Sequence, residues 1–72
     1  MGAMEKSART QVSEWLKQNR YTQRDFATII GVDETHMSRI LSEKTRAKPG
    51  RVLRKMLAST TGLPVDNEEV WL

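Results

Sequence analysis

Residues 22–41, TQRDFATIIGVDETHMSRIL, constrain the fold more than any other stretch, because they predict two short helices joined at Gly31. Thr22 can cap the first helix through its hydroxyl, and Asp25 three residues later forms an imperfect capping box. The apolar residues of this helix recur at helical spacing and so form one buried face, which consists of Phe26, Ala27 and Ile30.

The second helix follows Gly31, which stands where a helix ends in the left-handed backbone region that other residues enter at a cost. Asp33 has a short acceptor side chain that suits the start of a helix. The buried side of this helix is predicted to be Met37, Ile40 and Leu41, and its other side is polar: Glu34, Thr35, His36, Ser38 and Arg39. Two helices joined by so short a turn cross steeply, so the pair is predicted to be a helix-turn-helix.

This pair of helices resembles the Cro and repressor-type helix-turn-helix proteins of phages and bacteria, the lambda repressor-like family. The residues that carry the resemblance are Thr22, Gln23, Phe26, Ala27, Gly31, Val32, Ser38, Arg39 and Ile40, followed by a basic loop and Pro49. With the flanking helices the resemblance covers roughly residues 12–71. It implies an all-α fold: a compact four-to-five-helix DNA-binding domain with the helix-turn-helix at helices 2 and 3, and no cofactor.

Composition limits the other classes of protein that the chain can be. Seventy-two residues make one domain with a small core, and the absence of cysteine excludes disulfides and thiolate metal sites. His36 is the only histidine, so no metal site of familiar spacing is predicted. No apolar run approaches the roughly 20 residues of a membrane span, and we expect a cytoplasmic protein of a bacterial host with no membrane partner. Residues 1–6 are interpreted as an expression scar and disordered N-terminus, and residues 7–72 as a single domain.

Positive charge is concentrated in the middle of the chain. The net charge is +3, but positions 39–55 contain one acidic residue, Glu43, and seven basic ones: Arg39, Lys44, Arg46, Lys48, Arg51, Arg54 and Lys55. The C-terminal stretch has three acidic residues and no basic one. This uneven distribution fits a polyanion bound at one face, whereas a solvated basic face on an ordinary helical domain is the alternative.

Two further helices are predicted to flank the pair. Helix one is expected at about residues 7–18 with Ser7 as its cap, and its apolar stripe is Ala8, Val12, Trp15, Leu16 and Asn19. Helix four is expected to open at Pro49 and Gly50, because proline suits the first helical position, and to run to about residue 60. Its predicted core residues are Val52, Leu53, Met56 and Leu57.

Base contacts are predicted on the polar side of the second helix of the pair, at Glu34, Thr35, Ser38 and Arg39. Arg39 can donate two parallel bonds to guanine, Thr35 can meet a base or the thymine methyl, and Glu34 can accept from cytosine. The family commonly has Gln in place of Glu34, so the operator sequence stays open. DNA backbone contacts are predicted for Gln23 at a helix N-terminus and for His36, Lys44, Thr45, Arg46, Lys48 and Arg51.

The C-terminal residues 66–72 are predicted to form a short helix that begins at Asp66, with Glu69 completing a capping box. Its apolar residues, with the one that precedes it, are Val65, Val70, Trp71 and Leu72. They can fold back on the core of the monomer or form a two-fold interface, and the dimer is the preferred interpretation. Ile29, at a position that is usually polar in the family, can mark a contact with another part of the chain or with a partner.

The sequence therefore predicts a sequence-specific transcriptional repressor that binds an inverted-repeat operator in double-stranded DNA as a homodimer. One alternative is an antitoxin or a repressor controlled by a protein antagonist, and another is the N-terminal DNA-binding domain of a longer repressor. An unspecific nucleoid-type binder is a further alternative. An enzyme is not expected, because the chain has no paired-carboxylate cleft, no nucleophile beside a base and no glycine-rich phosphate loop.

Overall fold

The computed structural model describes residues 7–45 and 47–71, which form helices and turns only. The helices are α1 (Ala8–Gln18), α2 (Gln23–Ile30), α3 (Glu34–Leu41) and α4 (Arg51–Thr61), followed by a short C-terminal 3₁₀ helix, Glu68–Trp71. The all-α prediction is confirmed for this part of the chain. None of its helices is long and apolar enough to cross a membrane. The predictions made for residues 1–6, Arg46 and Leu72 lie outside the described residues.

Helix α1 begins as predicted, because the Ser7 side chain accepts a hydrogen bond from the Thr10 backbone N–H. Its buried face consists of Ala8, Arg9, Val12 and Leu16. Trp15 is only half-buried and stacks on the Tyr21 ring at a centroid distance of 5.6 Å. Asn19 lies on the surface, so the predicted apolar stripe ends one turn earlier than expected.

The turn between α2 and α3 is held by backbone bonds to one carbonyl. Gly31 adopts φ of +94°, and the N–H groups of Gly31 and Val32 both donate to the Ala27 carbonyl oxygen, at 2.8 and 2.9 Å. At the other end of α2 the predicted capping box is present between Thr22 and Asp25. Helices α2 and α3 pack directly against each other, and α1 packs against α3.

The start of α3 differs from the expectation. Asp33 has the extended backbone of a capping residue, but its side chain accepts no hydrogen bond from the helix. Because the three apolar residues Met37, Ile40 and Leu41 are buried, packing against α1 and α2 holds α3 in place without a side-chain cap. The prediction for the buried side of this helix is confirmed.

Helix α4 differs from the predictions in where it begins and in which of its residues are buried. Gly50 is the residue that precedes the helix and Pro49 lies one position earlier, so proline does not occupy the first helical position. Of the four predicted core residues only Leu57 is fully buried, and Leu53 is partly buried against the core. Val52 and Met56 are exposed, because α4 turns its other side, with Leu53 and Leu57, towards the core.

The C-terminal segment fills the core in place of that face. Val65 and Trp71 have no exposed surface, and the Trp71 indole N–H donates to the Val65 carbonyl oxygen at 2.8 Å. The preferred interpretation of these two residues as a dimer interface is therefore corrected, because a side chain without exposed surface cannot contact a second copy. Val70 is half-buried and packs against the same core.

The start of the C-terminal 3₁₀ helix also differs from the prediction. The helix begins at Glu68, two residues after the predicted start at Asp66. The Asn67 side-chain oxygen accepts a hydrogen bond from the Glu69 N–H at 2.9 Å. Asn67 therefore caps this helix in the place predicted for Asp66. The expected box between Asp66 and Glu69 is wrong, because an Asx turn at Asn67 satisfies the N–H group first.

Arg9 joins the elements around this core, and the sequence analysis did not single it out. Its guanidinium is buried and donates to three carbonyl oxygens: Ile40 at 3.2 Å, Ala47 at 3.1 Å and Trp71 at 2.9 Å. It also lies over the Trp71 ring, 5.6 Å from the centroid. One side chain of α1 thus connects the end of α3, the loop that follows it and the C-terminal segment.

Candidate nucleic-acid interface

The outer face of α3 gathers the four predicted base-contact residues. Glu34, Thr35, Ser38 and Arg39 are all exposed, and together they line one open depression. This follows from their spacing, since residues one turn apart on a helix lie on the same side. The opposite side of α3 is buried, so the helix presents these groups outward without freedom to rotate.

Arg39 is the strongest donor on this face. Its guanidinium makes no hydrogen bond or ion pair within the described residues, and it stands in the last turn of α3. Arginine carries five N–H donors in a fixed planar arrangement, which suits two acceptors side by side. An exposed, unpaired guanidinium beside Thr35 and Ser38 is therefore ready to bind an outside partner.

The hydroxyl of Thr45 is engaged inside the protein. Thr45 Oγ1 donates to the Arg39 carbonyl oxygen at 2.7 Å and is its second donor at the end of α3, beside the Ser42 N–H at 3.3 Å. The DNA backbone contact of Thr45 stays a prediction, and because the one hydroxyl hydrogen already has an acceptor here, Thr45 would take part through its oxygen. Thr45 lines the same depression as the base-contact residues, and its oxygen can still accept.

Ser42 belongs to the same depression and was missed. Its oxygen accepts from the Lys44 N–H at 3.2 Å, which leaves the hydroxyl hydrogen to be donated elsewhere. The signal was present in the sequence, because Ser42 lies one turn beyond Ser38 on the row that begins at Glu34. Ser42 was not predicted as a contact residue because α3 was expected to end at about this position.

The predicted phosphate contacts divide into free and paired cations. Lys44 and Arg51 are exposed, and neither side chain has a hydrogen bond or ion pair within the described residues. Lys48 instead forms an exposed ion pair with Glu68, with 3.0 Å between the nitrogen and the carboxylate oxygen. Arg46 lies outside the described residues.

The ion pair between Lys48 and Glu68 also changes the pKa of the Glu68 carboxyl group. The pKa of Glu68 is lowered from its ordinary value, first by the hydrogen bond from Lys48, then by the charge of Lys48 and of Arg54. Arg54 is half-buried and donates to the carbonyl oxygens of Asp66 and Pro49, each at 3.1 Å. These contacts draw two of the basic residues towards the C-terminal segment.

Gln23 occupies a different depression. It is the first residue of α2, and the residues that line the depression with it are Ser13, Leu16, Lys17 and Tyr21. Lys17 was not predicted to contact DNA, yet it adds a positive charge beside Gln23. The Asp25 carboxylate acts against this charge, since the capping box holds it at the same end of α2.

His36 is exposed on α3 but does not line the depression of the base-contact residues. In the part of the chain that the structure describes, no group of three or more histidine, cysteine or acidic side chains could hold a metal ion. The α3 face itself offers hydrogen-bonding groups and charge.

Comparison of the chain with protein-family models, with curated proteins and with solved structures finds no match. The resemblance to Cro and repressor-type proteins thus rests on the residues quoted from the sequence. The structure contributes the exposed polar face of α3, the free cations near it and the core that fixes its orientation.

Proposed function

We propose that the chain binds double-stranded DNA in a sequence-specific manner through the outer face of α3, and that it represses transcription as a homodimer on an inverted-repeat operator. The observation that carries the proposal is the convergence of four exposed polar side chains on one side of a helix whose other side is buried. The major groove of DNA is wide enough to admit one helix, and outward donors and acceptors on that helix can bond to the base edges.

The side chains of α3 match the chemistry of base edges. Arg39 can donate to guanine O6 and N7, Thr35 and Ser38 can donate or accept, and Glu34 can accept from a cytosine amino group. A face that held cations alone would bind every duplex equally. The mixture of an acid, two hydroxyls and one guanidinium instead favours some base pairs over others.

The free cations supply the part of binding that does not depend on sequence. Lys44 follows the end of α3 and Arg51 begins α4, and both ammonium and guanidinium groups are available for phosphates. Contacts of this kind fix the position of a protein on the duplex, and each one releases a counterion from the DNA. We therefore expect binding that weakens steeply as salt is added.

Dimerisation is part of the proposal because one α3 face offers few base contacts. Two copies related by a two-fold axis would read two half-sites about 34 Å apart, or roughly 10 base pairs, on one side of the duplex. Repression then follows from occupation of promoter DNA by the dimer.

The proposal is tested by selection of binders from random duplex DNA at about 0.15 M salt, where exposed charges are already substantially screened. We expect a two-fold symmetric motif with half-sites about one helical turn apart. Recovery of unselected sequences would contradict the proposal, because it would mean that the basic residues bind DNA without reading it.

A further inference from the structure

A groove between the end of α2 and the outer side of α4 gathers most of the large apolar side chains on the surface. Ile29 is 52% exposed, Val52 is 72% exposed and Met56 is 38% exposed, and all three line this groove. The buried Ile30 also contributes to it. Tyr21 is the one other exposed large apolar residue in the described part of the chain, and it lies in a different depression.

The apolar residues of the groove form a continuous surface. Val52 and Met56 are one turn apart on α4, so they lie side by side in a ridge, and Ile29 faces them from α2. Contiguous exposed apolar surface is unfavourable in water, and on soluble proteins it marks an interaction site more often than isolated apolar residues do.

We propose that this groove binds the same groove of a second copy of the chain, and that it is the interface of the DNA-binding homodimer. The charges on the groove favour a second copy over an acidic partner. Lys55 is the single charged side chain among the described residues that line it, and the remaining polar ones, Ser59 and Thr60, are neutral. A two-fold contact brings identical residues together, so a surface poor in charge avoids the repulsion that would oppose it.

The size of the groove sets the strength of this contact. Seven residues line it, whereas a stable interface of standard size uses about 20–30 residues on each side. The dimer is therefore weak in free solution. It becomes dominant on an operator, because DNA that holds one copy on each half-site raises the effective concentration of each for the other.

The dimensions of the domain agree with this arrangement. The described chain measures 36 × 24 × 24 Å, so its size is of the same order as the spacing of adjacent half-sites, about 34 Å. The groove and the α3 depression share no lining residue, which lets one copy use both surfaces at once. This role on DNA rests on the proposed function, whereas self-association through the groove does not require it.

The first test uses the protein without DNA. Sedimentation equilibrium and methyl NMR are recorded over a concentration series up to about 1 mM, the range in which contacts worth only a few kcal/mol are populated. We expect association, with shifts at the methyl groups of Ile29, Val52 and Met56. The double variant Val52→Gln/Met56→Gln should weaken association about tenfold or more, because it removes most of the apolar surface of the ridge.

The matched control is Tyr21→Gln, which also removes an exposed apolar side chain but outside the groove, and it should associate like the wild type. Since Val52 and Met56 are exposed, the double variant should retain the wild-type circular dichroism and thermal unfolding. A wild type that stays monomeric throughout would overturn the proposal and leave the groove to a different partner. Association that the double variant does not weaken would overturn it in favour of another surface.

The second test separates the interface from DNA recognition. On a duplex with one half-site, the double variant should bind like the wild type, and on a duplex with two it should lose the cooperative gain. Equal binding of both proteins to the two-site duplex would overturn the role of the groove on DNA. If neither protein binds any duplex, the proposed function fails, while the result of the DNA-free experiment stands by itself.

Discussion

At the scale of single residues, Arg39 is the side chain on which the proposed base recognition depends most. It is exposed, it has no partner within the described residues, and its guanidinium can form two parallel bonds with guanine. Replacement of Arg39 by Ala should cost about 1–3 kcal/mol on the preferred operator and relax the preference at one base position. Fluorescence anisotropy on the operator and on singly altered duplexes measures both effects.

Lys44→Ala is the matched control for Arg39→Ala, because Lys44 is an exposed, unpaired cation in the loop that follows α3. It should weaken binding to all duplexes alike and reduce the salt slope by about one. If Arg39→Ala also weakened every duplex alike, Arg39 would be a backbone contact and the assignment of base recognition to it would be wrong.

The pair between Lys48 and Glu68 makes a prediction about pH. Lys48 lowers the pKa of Glu68, so Lys48→Ala should raise that pKa towards its ordinary value, with the charge of Arg54 keeping a smaller lowering. A lowered pKa in the folded state means that the pair adds stability above the unfolded-state pKa and loses it as the pH falls through the folded-state value. Carboxyl NMR titration of both proteins measures the change, and identical titration of Glu68 in the two would contradict the pairing.

At the scale of helices, local chemistry predicted most of the architecture. The Ser7 cap and the box between Thr22 and Asp25 were predictable because each joins residues three positions apart, and Gly31 because glycine enters the left-handed region without a steric cost. The exposed polar side of α3 was predictable too, since helical spacing alone separates it from the buried Met37 and Ile40.

Contacts between distant residues could not be predicted in this way. Val52 and Met56 have the spacing of a buried face, yet they stay exposed because α4 turns Leu53 and Leu57 towards the core instead. Trp71 could belong to the core or to an interface, and its indole bond to Val65 decides for the core. The bond from Thr45 to Arg39 was likewise invisible, because a hydroxyl does not reveal its acceptor from sequence.

Arg9 leads to a prediction at this scale, because it connects α1 to the end of α3 and to the C-terminal segment. It shares the buried stripe of Val12 and Leu16, although a charged side chain is not expected there from sequence. Arg9→Ala should lower the free energy of unfolding by about 1–3 kcal/mol for each buried carbonyl left unpaired. Urea unfolding measures the loss, with the exposed Arg24→Ala as a control expected within about 0.5 kcal/mol of the wild type. Equal stability of the two variants would contradict the role of Arg9.

At the scale of the whole molecule, the small core makes each large side chain important. A domain of 72 residues has a net stability of about 4–11 kcal/mol, and truncation of a buried tryptophan to alanine costs about 3–5 kcal/mol. Trp71→Ala should therefore remove much of the stability of the domain, as thermal unfolding followed by circular dichroism would record. If the variant kept its thermal stability and only lost self-association in sedimentation, Trp71 would be an interface residue and its assignment to the core would be wrong.

The proposal that the outer face of α3 binds DNA is tested by amide NMR of the labelled protein with a selected operator duplex at about 0.15 M salt. We expect the largest shifts on residues 34–39, Ser42 and Lys44. A scrambled duplex should shift Lys44 but leave Thr35 and Ser38 little changed. Shifts centred on α1 or on the groove between α2 and α4, with α3 unaffected, would contradict the claim.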